Sequence, residues 1–155
     1  MHEIFKPSPI WFSVNGADTF PNFSSKIIPD FKLSESVPEA IRRRFLVIRK
    51  LLEFSYFEYE FIDIAMDRCY HTFELALHMK FNIEHPSKSG KKNFKPYLDW
   101  AVKEGFLAMN RDRKQAIAYL RNHGAHPKSD NLGGVINFKM IHVVGNQLVN
   151  ELFEN

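Results

Sequence analysis

The chain has 155 residues, 45% hydrophobic and 25% charged, with a net charge of +3; this suits one globular domain with one sizeable core. The sequence pI near 9.0 is compatible with an anionic partner such as RNA without demanding one. Cys69 is the only cysteine, which excludes an internal disulfide and a cysteine cluster for zinc or iron–sulfur and fits a reducing cytoplasm.

The opening "MHEIFKPSPIWF" has no basic region, apolar run and cleavage site of a signal peptide. No apolar run approaches the roughly 20 residues of a membrane-spanning helix. A soluble cytoplasmic protein with no membrane partner is expected. Residues 1–35 carry Pro7, Pro9, Pro21 and Pro29 and no helical period, yet they hold Trp11, Phe12, Phe20, Phe23, Ile27, Ile28 and Phe31. That is too apolar for a disordered tail. The expectation is a non-helical, aromatic-rich arm lying over the core, with a small β-hairpin turning at Asn15-Gly16, a pair that accepts positive φ.

Residues 36–155 read as an all-α domain. In "SVPE", Ser36 is placed to cap a helix and Glu39 to close a capping box. The helix then runs through "EAIRRRFLVIRKLLEF", with Ile41, Phe45, Ile48 and Leu52 on its core face. Its other side is basic. By default such a face is simply solvated; the functional reading is a surface for phosphates, with Arg42 and Arg43 as RNA-binding candidates. A long helix comes next, over about Tyr56–Asn82. Ile62, Met66, Cys69, Phe73 and Leu77 form its core stripe, widened by Phe57, Phe61, Ile64 and Ala65. Glu60, Asp63, Asp67, Tyr70 and Glu74 form a polar stripe, whose carboxylates could pair with arginines of a neighbouring helix; the default reading is plain surface. His71 and His78 read as structural or solvent-facing.

The basic loop "EHPSKSGKKNFKP" offers Lys91 and Lys92 as further RNA-binding candidates, and a short helix succeeds it in "PYLDWAVKEGFL". Another begins near Asp112, a possible cap, and runs through "RDRKQAIAYLRN" with Ile117 and Leu120 inward. The last covers about Val135–Phe153, with Ile136, Met140, Val143, Val144, Leu148 and Leu152 in register. The whole is an antiparallel bundle of four to five helices.

Between the last two helices lies "YLRNHGAHPKSD". Its bland reading is a helix ending: basic residues suit a helix C-terminus, glycine suits the position just beyond it, and proline is common one or two residues later. A zinc reading uses His123 and His126, with a third ligand from His71, His78, Asp67 or Glu74, but nothing singles one out. A third reading is a resemblance. Arg121, Asn122, the triplet "HGA" and His126 resemble the Arg–polar–x3–His signature of the HEPN superfamily, all-helical domains many of which are ribonucleases. The late position in a helical domain, the proline after the histidine and the closing helix are similar too. Some toxin-type members carry a tyrosine two residues after the histidine; here that residue is Lys128, another RNA-binding candidate.

The resemblance implies a metal-independent endoribonuclease without a cofactor, working as a homodimer that joins two motifs in one cleft. His126 handles protons or orients the 2′-hydroxyl, Arg121 holds the scissile phosphate, and Asn122 orients them, with His123 as a supporting neighbour. A toxin or antiviral defence effector, with an antitoxin or regulatory protein as a further partner, is the setting it implies. Its alternative is a non-catalytic HEPN-like module that binds a nucleotide, RNA or a protein. The residue types suit RNA cleavage: a histidine with a pKa near 6.5 serves as base or acid at neutral pH, and a guanidinium stays charged against the phosphate oxygens.

Overall fold

The protein is described from a computed structural model, over residues 5–87, 93–125 and 136–155, with the backbone alone described for 123–125. All regular elements among the described residues are helical, with no strand among them. No helix among them is long and apolar enough to cross a membrane.

The arm is not non-helical as expected, and it does not form the hairpin. Pro9–Ser13 coils as a short 3-10 helix, started by Pro9, which has no N–H to satisfy. Its coiling seats Trp11 fully inside the core, where the indole Nε1 donates to the Ser55 carbonyl at 2.8 Å. Gly16 does take a positive φ of +88°, but in a turn leading to a helix. Helix α1 (Phe20–Lys26) begins at Thr19, whose side chain accepts from the Asn22 N–H, with Pro21 in the first turn. The ring of Phe23 then packs 4.7 Å from that of Trp11.

Helix α2 (Glu39–Phe54) starts after Pro38 with no side-chain cap. Ser36 bonds the Ser34 hydroxyl instead, and Glu39 is taken by Arg42 and Arg43. Ile41, Phe45, Ile48 and Leu52 are buried. Helix α3 (Phe61–Glu84) begins five residues later than the periodicity predicts. The reason is the arm: Ser8 donates its N–H to the Tyr56 carbonyl, Trp11 takes that of Ser55, and the Tyr56 ring packs on Phe20 and Phe23. Ile62, Ala65, Met66, Cys69, Phe73 and Leu77 are buried, whereas Ile64, expected in the stripe, is exposed.

Helix α3 packs against α2, α4 (Phe94–Lys103), α5 (Arg111–Ala125) and all parts of the closing helix. That closing helix comprises α6 (Ile136–His142), a π-helical stretch Val143–Val149 and α7 (Asn150–Glu154); Val135 lies outside the described residues. Its buried stripe runs Phe138, Ile141, Gly145, Leu148 and Leu152, not through Ile136, which is exposed. A Cβ at Gly145 would stand 2.9 Å from the rings of Phe31 and Phe45, so the glycine is where the arm and α2 reach the helix backbone. On the same helix Asn146 accepts from the Lys32 N–H at 2.7 Å and donates to the Asp30 carbonyl at 2.7 Å. Asn150 accepts from the Ser34 N–H and donates to the Lys32 carbonyl, both at 2.8 Å. Two side-chain amides thus pair four backbone groups of Asp30, Lys32 and Ser34, in a segment that makes no sheet of its own.

Candidate functional site

Helix α5 carries the Arg121 motif. Its cap is Asn110, not Asp112: the Asn110 side chain accepts from the Arg113 N–H at 2.8 Å, and Asp112 sits in the first turn, favourable to the helix dipole. Lys114 reaches Asp99 on α4 at 2.6 Å and Arg113 reaches Gln147 on the closing helix at 3.2 Å. These contacts roll Ile117 into the core, where it is buried. Arg121 comes four residues later, on the same face.

That register decides where the guanidinium goes. Arg121 does not project away from the helices towards a partner; it turns onto α3. Its Nη2 donates to Glu74 Oε2 at 2.8 Å, with the two side chains 24% and 27% exposed. Its Cζ lies 5.8 Å from the centre of the Phe94 ring at the start of α4, a cation–π contact. Nη1 makes a long contact of 3.4 Å with Asn122 Oδ1, so Asn122, itself exposed, touches the arginine. Nε is buried without a hydrogen-bond partner among the described residues. One side chain of the polar stripe on α3 is therefore a partner for a neighbouring helix, and Asp63 is another: it accepts from Asn137 at 3.2 Å.

Helix α5 also runs on past the expected stop, through Gly124 to Ala125. His123 is within it, and its side chain is not among those described. His126 and Lys128 lie outside the described residues, as do Lys91 and Lys92. The structure therefore brings Arg121 and Asn122 together and leaves the rest of the motif to the sequence.

Beside the Arg121–Glu74 pair is a groove of about 520 Å³, with Arg44 from α2, His71, Leu75 and His78 from α3, and Asn93 and Tyr97 around the start of α4. Sequence reasoning names His71 and His78 only as possible zinc ligands and does not pick out Arg44, Leu75, Asn93 or Tyr97. The signal is present in part: His71, Glu74 and His78 fall on one side of a helix at three- and four-residue steps. Arg42 and Arg43 face elsewhere, lining a different groove with Asp30, Phe31 and Leu46 while engaged by Glu39.

Asp67, one turn before His71, has its carboxyl pushed above the usual carboxylate range by burial, partly offset by the charge of His71. Burial and the neighbouring carboxylates Asp67 and Glu60 raise Asp63 likewise. Burial holds the Cys69 thiol protonated, its pKa raised, so it is no nucleophile. Among the described residues no three His, Cys, Asp or Glu side chains gather as a metal site; the His123 and His126 side chains of the zinc reading are not among them. Comparisons with protein-family models, curated proteins and solved structures find no match to this chain.

Proposed function

We propose that the chain is a HEPN-like antiparallel helical bundle acting as a metal-independent endoribonuclease, its site completed by a second copy of the same chain. The observation that carries this reading is the state of Arg121. Glu74 and Phe94 hold its guanidinium in one orientation, a quarter of it exposed, with Asn122 against it. A cation fixed before substrate arrives binds a phosphorane without reorganising, and the pairing with Glu74 uses only one of its N–H groups.

In this mechanism a base removes the proton of the RNA 2′-hydroxyl and the 2′-oxygen bonds to the adjacent phosphorus. Charge accumulates on the non-bridging oxygens, where Arg121 donates. The bond to the 5′-oxygen breaks as an acid protonates it, leaving a 2′,3′-cyclic phosphate and a 5′-hydroxyl. His126 of each copy supplies the proton transfers, as the family resemblance implies. A toxin or antiviral effector held in check by an antitoxin or other regulatory protein is the matching setting.

The test is RNA cleavage in EDTA by the wild-type protein, Arg121→Ala and His126→Ala, with folding checked by circular dichroism. The wild type is expected to leave cyclic-phosphate ends and both variants to lose activity. A His126→Ala protein that cuts as well as wild type ends the proposal.

A second reading has its own observation. The Glu74 carboxylate offsets the charge of Arg121, and the pair joins α5 to α3, which is what a non-catalytic module binding a nucleotide, RNA or a protein would retain. RNA binding without cleavage, in a protein whose two-fold dimer keeps the motifs apart, supports that reading.

A further inference from the structure

The groove beside Glu74 has a chemistry that the Arg–polar–x3–His string does not account for. Of the arginines on α2, Arg42 and Arg43 pair with Glu39, and Arg49 lies near Asp30 and Glu53. Arg44 has no ion pair among the described residues, although it is half-buried and faces the groove. A partly desolvated cation left unpaired is a place for an anion. The floor is apolar: Tyr97 is 2% exposed and Leu75 is half-buried. The His78 ring rests 5.4 Å from the Tyr97 ring, and its Nε2 shares a hydrogen bond with the Asn82 amide at 3.2 Å, which limits its rotation. At the rim Asn93 is exposed, offering a donor and an acceptor together.

A cation, an apolar floor and an amide at one edge match the phosphate, the base face and the base edge of a nucleotide. The volume, about 520 Å³, falls within the range of roughly 300–1,000 Å³ common for small-ligand sites. We infer that this groove is a nucleotide subsite, with the phosphate on Arg44, the base over Leu75 and His78, and the base edge on Asn93. It rests on the reading that Arg121 faces RNA, because Glu74 belongs to both places; the nucleotide in the groove is then a neighbour of the phosphate that Arg121 holds. Base selection would reside here, away from the motif. The same chemistry is offered by a residue of single-stranded RNA and by a free mononucleotide.

The test uses fluorescein-labelled 2′-O-methyl hexanucleotides of A, C, G and U, which bind but cannot be cut through a 2′-hydroxyl. Arg44→Gln is expected to weaken binding of all four about tenfold and to reduce the salt slope by about 1. Asn93→Ala is expected to change the ranking of the four with little change in salt slope. Both side chains are at the surface, and thermal melts check folding. Competition with AMP and UMP separates the sources: displacement at micromolar concentration that Arg44→Gln abolishes assigns the groove to free nucleotides, and absence of displacement assigns it to RNA. Arg44-dependent binding by a wild-type protein that cuts no RNA supports the groove and removes the cleavage reading. Cleavage by the wild type, with both variants binding all four probes as tightly as it does, overturns the groove and leaves cleavage standing. Failure of the wild type to bind any probe overturns the groove as well.

Discussion

Arg121 Nη2 lies 2.8 Å from Glu74 Oε2, which joins the motif helix α5 to the central helix α3. Both side chains are about a quarter exposed, so solvent screens the pair and its stability contribution is about 1 kcal/mol or less. Its larger effect is on position. Glu74→Gln keeps an acceptor for Nη2 and removes the charge; uncleavable RNA should bind a few-fold tighter, with cleavage retained. Glu74→Ala frees the guanidinium and should lower kcat roughly tenfold or more with little change in melting temperature. Single-turnover rates and binding titrations on the three proteins check this.

The arm is held by side-chain amides on the closing helix. Replacing Asn146 by Ala leaves the Lys32 N–H and the Asp30 carbonyl without their partner. A cost of roughly 1–2 kcal/mol is expected, less if water reaches the freed groups. Hydrogen exchange should show lost protection at Lys32 in Asn146→Ala and at Ser34 in Asn150→Ala, with urea titrations giving the stability change.

Gly145 has no room for a side chain, because Phe31 and Phe45 occupy the space of its Cβ. Gly145→Ala gains helix propensity but pushes two rings aside. A net loss of about 1–3 kcal/mol is expected by denaturant unfolding. If the variant is as stable as wild type, the close approach of the arm to this helix is wrong.

Asp67 supplies a pH dependence of stability. Burial raises its carboxyl pKa in the folded protein, so the ionised form disfavours folding. The penalty is absent at pH values below the unfolded pKa and grows as pH rises through the higher folded one. Asp67→Asn should therefore raise the melting temperature by about 1–2 °C at pH 7, allowing for solvent screening. At pH 3 the gain should vanish. A gain of equal size at both pH values would show that charge is not the cause.

The helices are legible where one apolar period runs unbroken. Ile41, Phe45, Ile48 and Leu52 on α2 are buried, as are Ile62, Met66, Cys69, Phe73 and Leu77 on α3. The period misleads where the partner surface ends or a small residue carries the contact. Ile64 fits the helical pattern yet faces solvent. On the closing helix Gly145 breaks the apolar run at its closest contact, and the buried stripe passes through Phe138 and Ile141 rather than Ile136. The Asn15-Gly16 signal points to the correct backbone sign at Gly16 but not at Asn15, and to the wrong element, because the burial of Trp11 against Ser55 outweighs a local hairpin preference.

The Arg121–Asn122–His126 string, the all-helical character and the main apolar faces come from residue types and spacing, since those depend on local geometry with a period of about 3.6 residues. Which carboxylate meets Arg121, which arginine of α2 faces the groove, and where α3 begins depend on helix rotation and on the arm. Those are properties of packing between segments distant in the chain: Glu74 and Arg121 are brought together by the burial of Phe73, Leu77 and Ile117 beside them, and no local pattern states that pairing.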